Sequence, residues 1–252
     1  MRPILVTGGT GKLGHAVVRG LLSRGHPVRV LSRSAHTPGE HGWAVGDLVT
    51  GRGVDAAIAG CRAVVHCATT NGKQDVTATR RLVEAARTAQ VTHLLYVSIV
   101  GVDRVPLGYY RAKAEAERLV AESGLGWTVL RATQFHDLLL RMFDGLSKAP
   151  VVVLPRGLAF QPVDVRDVAE RLVELAEAGP SGRAADFGGP QVRVVEELAA
   201  AYLAARGRRR PVLRLPVGGR SMRALRAGGN LAPEHRAGRI TFDEVLVERF
   251  GA

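Results

Sequence analysis

Cysteine is almost absent: Cys61 and Cys67 are the two in a chain of 252 residues. If they flank one strand, six residues at about 3.3 Å each hold them roughly 20 Å apart, beyond disulfide reach. That argues against a disulfide-stapled secreted scaffold, and the expected compartment is a reducing cytoplasm. Lysine is nearly as scarce. Lys12, Lys73, Lys113 and Lys148 are four of the 35 basic residues, and the other 31 are arginine. No apolar run reaches the roughly 18–20 residues that span a bilayer. Met1 to Val6 carries one positive charge and leads into glycines, without the long apolar core of a secretion signal. No membrane partner is expected. Internal repeats, low-complexity linkers and metal-ligand spacings are also lacking, so no metal is expected.

What is present is an ordinary globular mixture, 46% hydrophobic and 23% charged, long enough for one large domain or a domain with a lobe. Short apolar runs alternate with helical periodicity. Ile4–Thr7, Val28–Leu31, Trp43–Val45, Ala63–Cys67, Leu94–Ser98 and Trp127–Leu130 read as strands. Leu13–Ser23, Asp75–Ala89 and Tyr109–Ser123 read as helices between them. That alternation predicts βαβ units and an α/β fold, a Rossmann-type doubly wound parallel sheet. Residues 1–150 are expected to form the dinucleotide-binding core. Residues 151–252 are expected to form a smaller substrate lobe packed on it as part of the same domain, with a strand at Val151–Leu154 and helices at Val165–Ala178, capped by Asp164, and Val194–Ala205.

The first strand runs into Thr7, Gly8, Gly9, Thr10, Gly11, Lys12, Leu13 and Gly14. Glycines at 8, 11 and 14 let the chain turn sharply, approach a pyrophosphate closely and start a helix with its N–H groups aimed at the anion. Lys12 either touches the pyrophosphate or points to solvent. At the end of the second strand, where an NAD-binding unit carries an acid for the ribose 2′-OH, this chain has Ser32, Arg33 and Ser34. A guanidinium flanked by hydroxyls suits a 2′-phosphate, which places NADP(H) ahead of NAD(H).

Tyr109 and Lys113 lie four apart at the start of a helix and share a face. Ser98 ends the preceding strand, close enough along the chain to be brought alongside. An adjacent ammonium lowers the pKa of a phenol from its ordinary value near 10. With Ser98 bonding a carbonyl oxygen, Lys113 also holding ribose hydroxyls and Tyr109 giving the proton, these are the parts of hydride transfer to a ketone. Tyr110 competes with Tyr109 for that role. His66 is expected to be a buried, hydrogen-bonded histidine, and Trp43 and Trp127 to pack.

Together, Thr7–Gly14, Gly46-Asp47-Leu48, Tyr96-Val97-Ser98 and Tyr109-xxx-Lys113 resemble the short-chain dehydrogenase/reductase superfamily. The run Leu95–Phe135 is similar to its atypical, NmrA-like and NAD(P)H-binding branch. The resemblance implies further roles. Asp47 and Leu48 would meet the adenine, Ala68 and Thr69 would line the cofactor, and Arg131, Ala132 and Thr133 would border the nicotinamide. Phe135 and His136 would stand at the substrate mouth, and Gln161-Pro162-Val163 with Asp167 would close the site. In some relatives a lysine is the acid/base, a role open to Lys113. The family's usual Asn-Asn-Ala-Gly is replaced here by Cys67-Ala68-Thr69-Thr70.

The leading expectation is an NADP(H)-dependent oxidoreductase of this type, reducing a small carbonyl or quinone-like molecule. The alternatives are a non-catalytic NADP(H)-sensing regulator of the NmrA type and, behind it, a sugar-nucleotide epimerase or dehydratase. The remaining oddity is the net charge of +12. Residues 206–239 hold ten arginines against one acid, Glu234, and so carry nine of those charges. No recognition helix or aromatic platform accompanies them, so a nucleic-acid partner is not expected. A homodimer through the helices of the sheet's faces is compatible with the sequence but not demanded by it.

Overall fold

The computed structural model describes residues 1–251 apart from Pro38, Asn71 and Lys73. The chain runs β1 (Ile4–Thr7), α1 (Lys12–Ser23), β2 (Val28–Ser32), β3 (Gly42–Val45), α2 (Val54–Ile58), β4 (Ala63–His66), α3 (Gln74–Thr88), β5 (His93–Ile99), α4 (Gly108–Ala121) and β6 (Trp127–Ala132). It continues through α5 (His136–Leu146), β7 (Val152–Pro155), β8 (Ala159–Phe160), α6 (Val165–Ala178), β9 (Gly182–Arg183) and β10 (Arg193–Val194). The remaining elements are α7 (Val195–Ala205), β11 (Val212–Leu215), α8 (Arg220–Arg226) and α9 (Phe242–Phe250).

Two units emerge. The first comprises Met1–Ser98, Gly108–Arg131 and Val168–Ala185; the second comprises Ile99–Leu107, Ala132–Asp167 and Asp186–Ala252. The division therefore does not fall at residue 150. Val168–Ala185 belongs with the first unit because β9 pairs in parallel with β6, joining Thr128 to Gly182. Just before it, Glu177 pairs with Arg24 at 2.5 Å and is hydrogen-bonded to His26 Nε2 at 2.8 Å.

The first unit is built on a seven-stranded sheet of order β3-β2-β1-β4-β5-β6-β9. β1 pairs in parallel with β2 on one side and β4 on the other. Every residue of β1 is fully buried, as expected for a central strand covered on both faces. The strand order reverses between β1 and β4, and the carboxyl ends there form the crevice where doubly wound sheets bind ligands. One core layer packs Leu82 and Ala86 of α3 against Val64 of β4 and Leu94 of β5. Fully burying such a leucine contributes about 1.5–3 kcal/mol.

A buried polar link joins that sheet to α3. His66 Nδ1 meets Thr7 Oγ1 at 2.7 Å and Nε2 meets Thr79 Oγ1 at 3.2 Å. Burial, reinforced by the Lys113 charge, pulls the imidazole pKa down to about 3, against a weaker upward pull from Asp75.

The second unit has its own core. Phe143 of α5 packs on Tyr202 of α7, ring centroids 5.7 Å apart, and on Phe242 of α9 at 6.4 Å. Thr241 starts α9 with a reciprocal capping box to Glu244, satisfying two donors the helix would otherwise leave free. Asp164 caps α6, as expected, by accepting the Arg166 N–H at 2.8 Å. The Arg-rich stretch is partly built in: Arg208 donates to Ser147 Oγ at 2.8 Å, and Arg226 to the carbonyls of Arg156 and Val217 at 2.9 and 2.7 Å.

Truncation of Leu82 to alanine should cost about 2–5 kcal/mol, read as a lower urea midpoint with the slope unchanged. The neutral, buried His66 makes a second prediction. Its folded pKa lies below the ordinary value of 6.5, so the unfolded chain takes up the proton first. Stability should fall as pH drops from about 6.5 towards 3, and His66→Asn should flatten that dependence in urea titrations at successive pH values.

Candidate cofactor and active site

β1 delivers the glycine loop to the switch point. Gly8 has φ +70°, and a Cβ on it would stand 2.7 Å from the Ala68 nitrogen, so the β1 turn and the segment after β4 touch backbone to backbone. Gly14, in the first turn of α1, has its Cα side against the Gly8 carbonyl, the same carbonyl that accepts the Gly11 N–H at 2.9 Å. Any side chain at 14 would collide with that turn. Gly9 lies against Val30 for the same reason. α1 opens at Gly11 without a side-chain cap and without an acid in its first turn. Its leading N–H groups are thus left to an anion.

A cleft of about 640 Å³ opens above these ends. Thr7, Gly8, Thr10 and Gly11 of the loop line it, with Ser32 and Arg33 from the end of β2. Asp47 and Leu48, after β3, and Ala68 and Thr69, after β4, complete the predicted set that meets there. The glycine cradle, the uncapped helix and the cleft's size all fit a dinucleotide. Of the other residues expected at the cofactor, Lys12 and Ser34 are exposed and Leu13 is half-buried, and none lines the cleft. Ser34 instead donates its N–H to Ser32 Oγ at 3.3 Å. His36 was not anticipated: its Nε2 meets Ser32 Oγ at 2.8 Å while its ring stacks on Trp43 at 3.9 Å.

Ser98, Tyr109 and Lys113 all belong to the first unit. Ser98 is 1% exposed, and its Oγ has no hydrogen-bond partner among the described residues. A buried hydroxyl left unpaired is costly unless a ligand completes it. Lys113 is buried one turn after Tyr109. Its Nζ donates to the Val97 carbonyl at 3.2 Å and lies 4.8 Å from the centre of the Tyr96 ring. Burial pushes the ammonium pKa down, opposed by the charges of Asp75, Cys67 and Glu117.

Tyr109 departs from expectation. Its pKa is raised, first by burial and further by Asp75 and Tyr110, against the hydrogen bond of Thr69. Lys113 was expected to lower it; here the ammonium is turned to Val97 and the Tyr96 face, and burial of the phenol prevails.

Asp75 is the main residue sequence reasoning missed. It reads as the opening of a helix, but its 3% exposed carboxylate accepts Thr69 Oγ1 at 2.6 Å, Thr70 Oγ1 at 2.7 Å and the Thr70 N–H. It also lines the cleft. Arg131, expected at the nicotinamide, forms a two-pronged pair with Glu117 of α4 at 2.8 and 2.7 Å.

The remaining predicted residues lie in the second unit. Ala132 bridges Phe187 and Phe135 bridges Val163. Thr133 Oγ1 donates to the Gln161 carbonyl at 2.6 Å and accepts the Gly189 N–H at 3.2 Å. His136, expected at the substrate mouth, is 3% exposed, packs on Phe242 and bonds the Ile240 carbonyl through Nε2 at 3.1 Å. Asp167 accepts the N–H groups of Arg239 and Ile240 at 2.8 and 3.0 Å. Among the described residues no helix is long and apolar enough to cross a membrane.

Comparison with known proteins agrees with this geometry. An NAD(P)H azoreductase of Xenophilus azovorans is 32% identical over 213 residues, spanning 81% of this chain and 74% of its own. A (4-alkanoyl-5-oxo-2,5-dihydrofuran-3-yl)methyl phosphate reductase of Streptomyces griseus subsp. griseus is 33% identical over 214 residues, with the same 81% and 74% coverage. The fold matches that of an NADPH-dependent quinone oxidoreductase of Escherichia coli solved with NADPH: TM-score 0.82 at 20% identity, over 98% of this chain and 99% of that one. Residues 8–178 match the family described as NAD(P)H-binding. That span is most of the chain, and the protein belongs to this family of Rossmann-fold NAD(P)H-binding proteins, which it shares with small-molecule reductases.

Proposed function

We propose that the protein is an NADP(H)-dependent oxidoreductase that reduces a small carbonyl or quinone-like compound, with Tyr109 as proton donor. The observation that carries this reading is the buried, unpartnered Ser98 hydroxyl, in a unit that also holds Tyr109 and Lys113. A binding-only protein gains nothing from an orphaned donor there. The names of the azoreductase and phosphate-ester reductase relatives support the reaction class.

Each residue then has a task. Thr10, Gly11 and the first N–H groups of α1 hold the pyrophosphate. Arg33 and Ser32 take the 2′-phosphate, with a charge-assisted fork from the guanidinium. Leu48 closes on the adenine, its turn held by Asp47, whose Oδ1 accepts the Val49 N–H at 2.7 Å. When bound, NADPH supplies the hydride. Ser98 donates to the carbonyl oxygen as negative charge grows on it, and Tyr109 protonates that oxygen. The raised pKa of Tyr109 means it carries its proton throughout the neutral range. Lys113, whose pKa burial lowers against the opposing charges of Asp75 and Glu117, binds ribose hydroxyls.

The protein should bind NADPH more tightly than NADH. Arg33→Ala should weaken NADPH by about 10- to 100-fold, the worth of a charged hydrogen bond, and leave NADH unchanged. An unaltered preference would remove Arg33 from the 2′-phosphate. Tyr109→Phe should keep NADPH affinity and lower turnover by about 100-fold or more, measured as NADPH oxidation with aldehydes, ketones, quinones and an azo dye. Tight NADPH binding with no oxidation across that panel would favour the sensor instead.

A further inference from the structure

The hydroxyl of Ser32 is held by its own loop. Ser32 is 9% exposed and lines the cleft beside Arg33. Its Oγ accepts the Ser34 N–H at 3.3 Å, and His36 Nε2 stands 2.8 Å from the same oxygen. His36 is exposed and does not itself line the cleft. An exposed side chain ordinarily hops between rotamers. This one is laid on Trp43, ring centroids 3.9 Å apart and planes 16° apart. Trp43 is placed in turn by β3, where it pairs with Val30 of β2, two residues before Ser32. The His41 ring also packs on Trp43, at 4.7 Å.

Counting protons gives this arrangement a direction. A hydroxyl has one proton and two lone pairs. The Ser34 N–H occupies one lone pair. The bond to His36 then has two forms. With Nε2 bare, the imidazole takes the Ser32 proton, and Ser32 offers the cleft only a lone pair. With hydrogen on Nε2, the imidazole fills the second lone pair, and the Ser32 proton is left to give. Which ring nitrogen of a histidine carries hydrogen is set by the partners the ring meets. A phosphate beside Ser32 needs a donor and selects the second form. A ribose 2′-hydroxyl both gives and accepts, and has no such requirement.

We propose that His36 determines specificity for the 2′-phosphate: held on Trp43, it donates through Nε2 to Ser32 and so keeps the Ser32 hydroxyl turned as a donor to the phosphate. It is a positioning residue, acting through Ser32 without touching the cofactor. The inference rests on the reading of Arg33 and Ser32 as the 2′-phosphate residues. Arg33 supplies the charge, Ser32 a directed hydrogen bond, and His36 an orientation already set before binding, which lowers the cost of ordering that hydroxyl when the ligand arrives.

Calorimetric affinities for NADPH and NADH test this without turnover. His36→Phe keeps a ring to lie on Trp43 and removes the donor. It should weaken NADPH by about three- to tenfold, the worth of one hydrogen bond, and leave NADH unchanged. His36→Gln returns a side-chain N–H and should recover most of the loss. In a Ser32→Ala background, His36→Phe should cost nothing further, because the group it orients is gone. NADPH bound by His36→Phe as tightly as by the unaltered protein would overturn the proposal. So would the same loss in the Ser32→Ala background, which would mean that His36 does not act through Ser32. Equal weakening of NADPH and NADH would overturn it too, as a disturbance of the loop rather than of the phosphate contact. Arg33→Ala judges the underlying reading separately. If that variant keeps the preference for NADPH, reading and inference fall together. If it loses the preference while His36→Phe keeps it, the inference alone fails.

Discussion

The cofactor end of the first unit depends on one steric constraint, the backbone contact between the Gly8 turn and Ala68. No side chain fits there. Because the two segments touch, Thr7 reaches His66 with its hydroxyl and the Ala68 N–H at 3.4 Å. Thr69 follows at once, beside the carboxylate of Asp75. The glycine loop thus does more than approach a phosphate. It sets how far the chain after β4 can close on β1, and so where Thr69 and Asp75 stand relative to the cleft they line. Substitution at Gly8 would act on both consequences together.

Much of the first unit was legible in the sequence, for a physical reason. Central parallel strands are buried on both faces and read as short apolar runs, and six such runs became β1 to β6 with shifts of one or two residues at their ends. The seventh strand was not legible. β9 is two residues, Gly182–Arg183, with no pattern of its own, and exists because β6 offers an edge. The second unit was read thinly for a different reason. Its signals were present but sparse: Leu139, Leu140 and Phe143 stand at helical spacing in α5, and Thr241-x-x-Glu244 is a capping box written in the sequence. Arginine and glycine around them diluted the periodicity.

The site divides in the same way. Residues fixed by their order along one strand and turn, Thr7, Gly8, Thr10 and Gly11, and Ser32 with Arg33, line the cleft, as do Asp47 and Leu48, whose place the resemblance implied. Residues whose setting depends on tertiary contact did not follow the pattern. The resemblance implies a place for Arg131 at the nicotinamide; in the structure Glu117 stands across from it on α4 and takes its guanidinium. Asp75 reads as a helix start, and its importance comes from a turn at Thr69 and Thr70 that composition does not reveal. Spacing puts Lys113 on the same helix face as Tyr109; it does not say that the ammonium will turn to Val97.

That last point bears on the charge of the whole chain. A net charge of +12 suggests an electropositive centre, yet the groups around the proposed chemistry nearly cancel. Lys113 is buried among Asp75 and Glu117, and Glu117 is shared with Arg131. Burial lowers the pKa of that ammonium, and the charges of these neighbours oppose the shift. One of the four lysines is thus buried beside two acids, while most of the surplus lies in 206–239. There, arginines such as Arg208 and Arg226 tie loops of the second unit together through carbonyl and hydroxyl oxygens. The positive surplus therefore lies largely in the second unit, and the charge around the proposed proton transfer is a local balance of one lysine, one arginine and two acids.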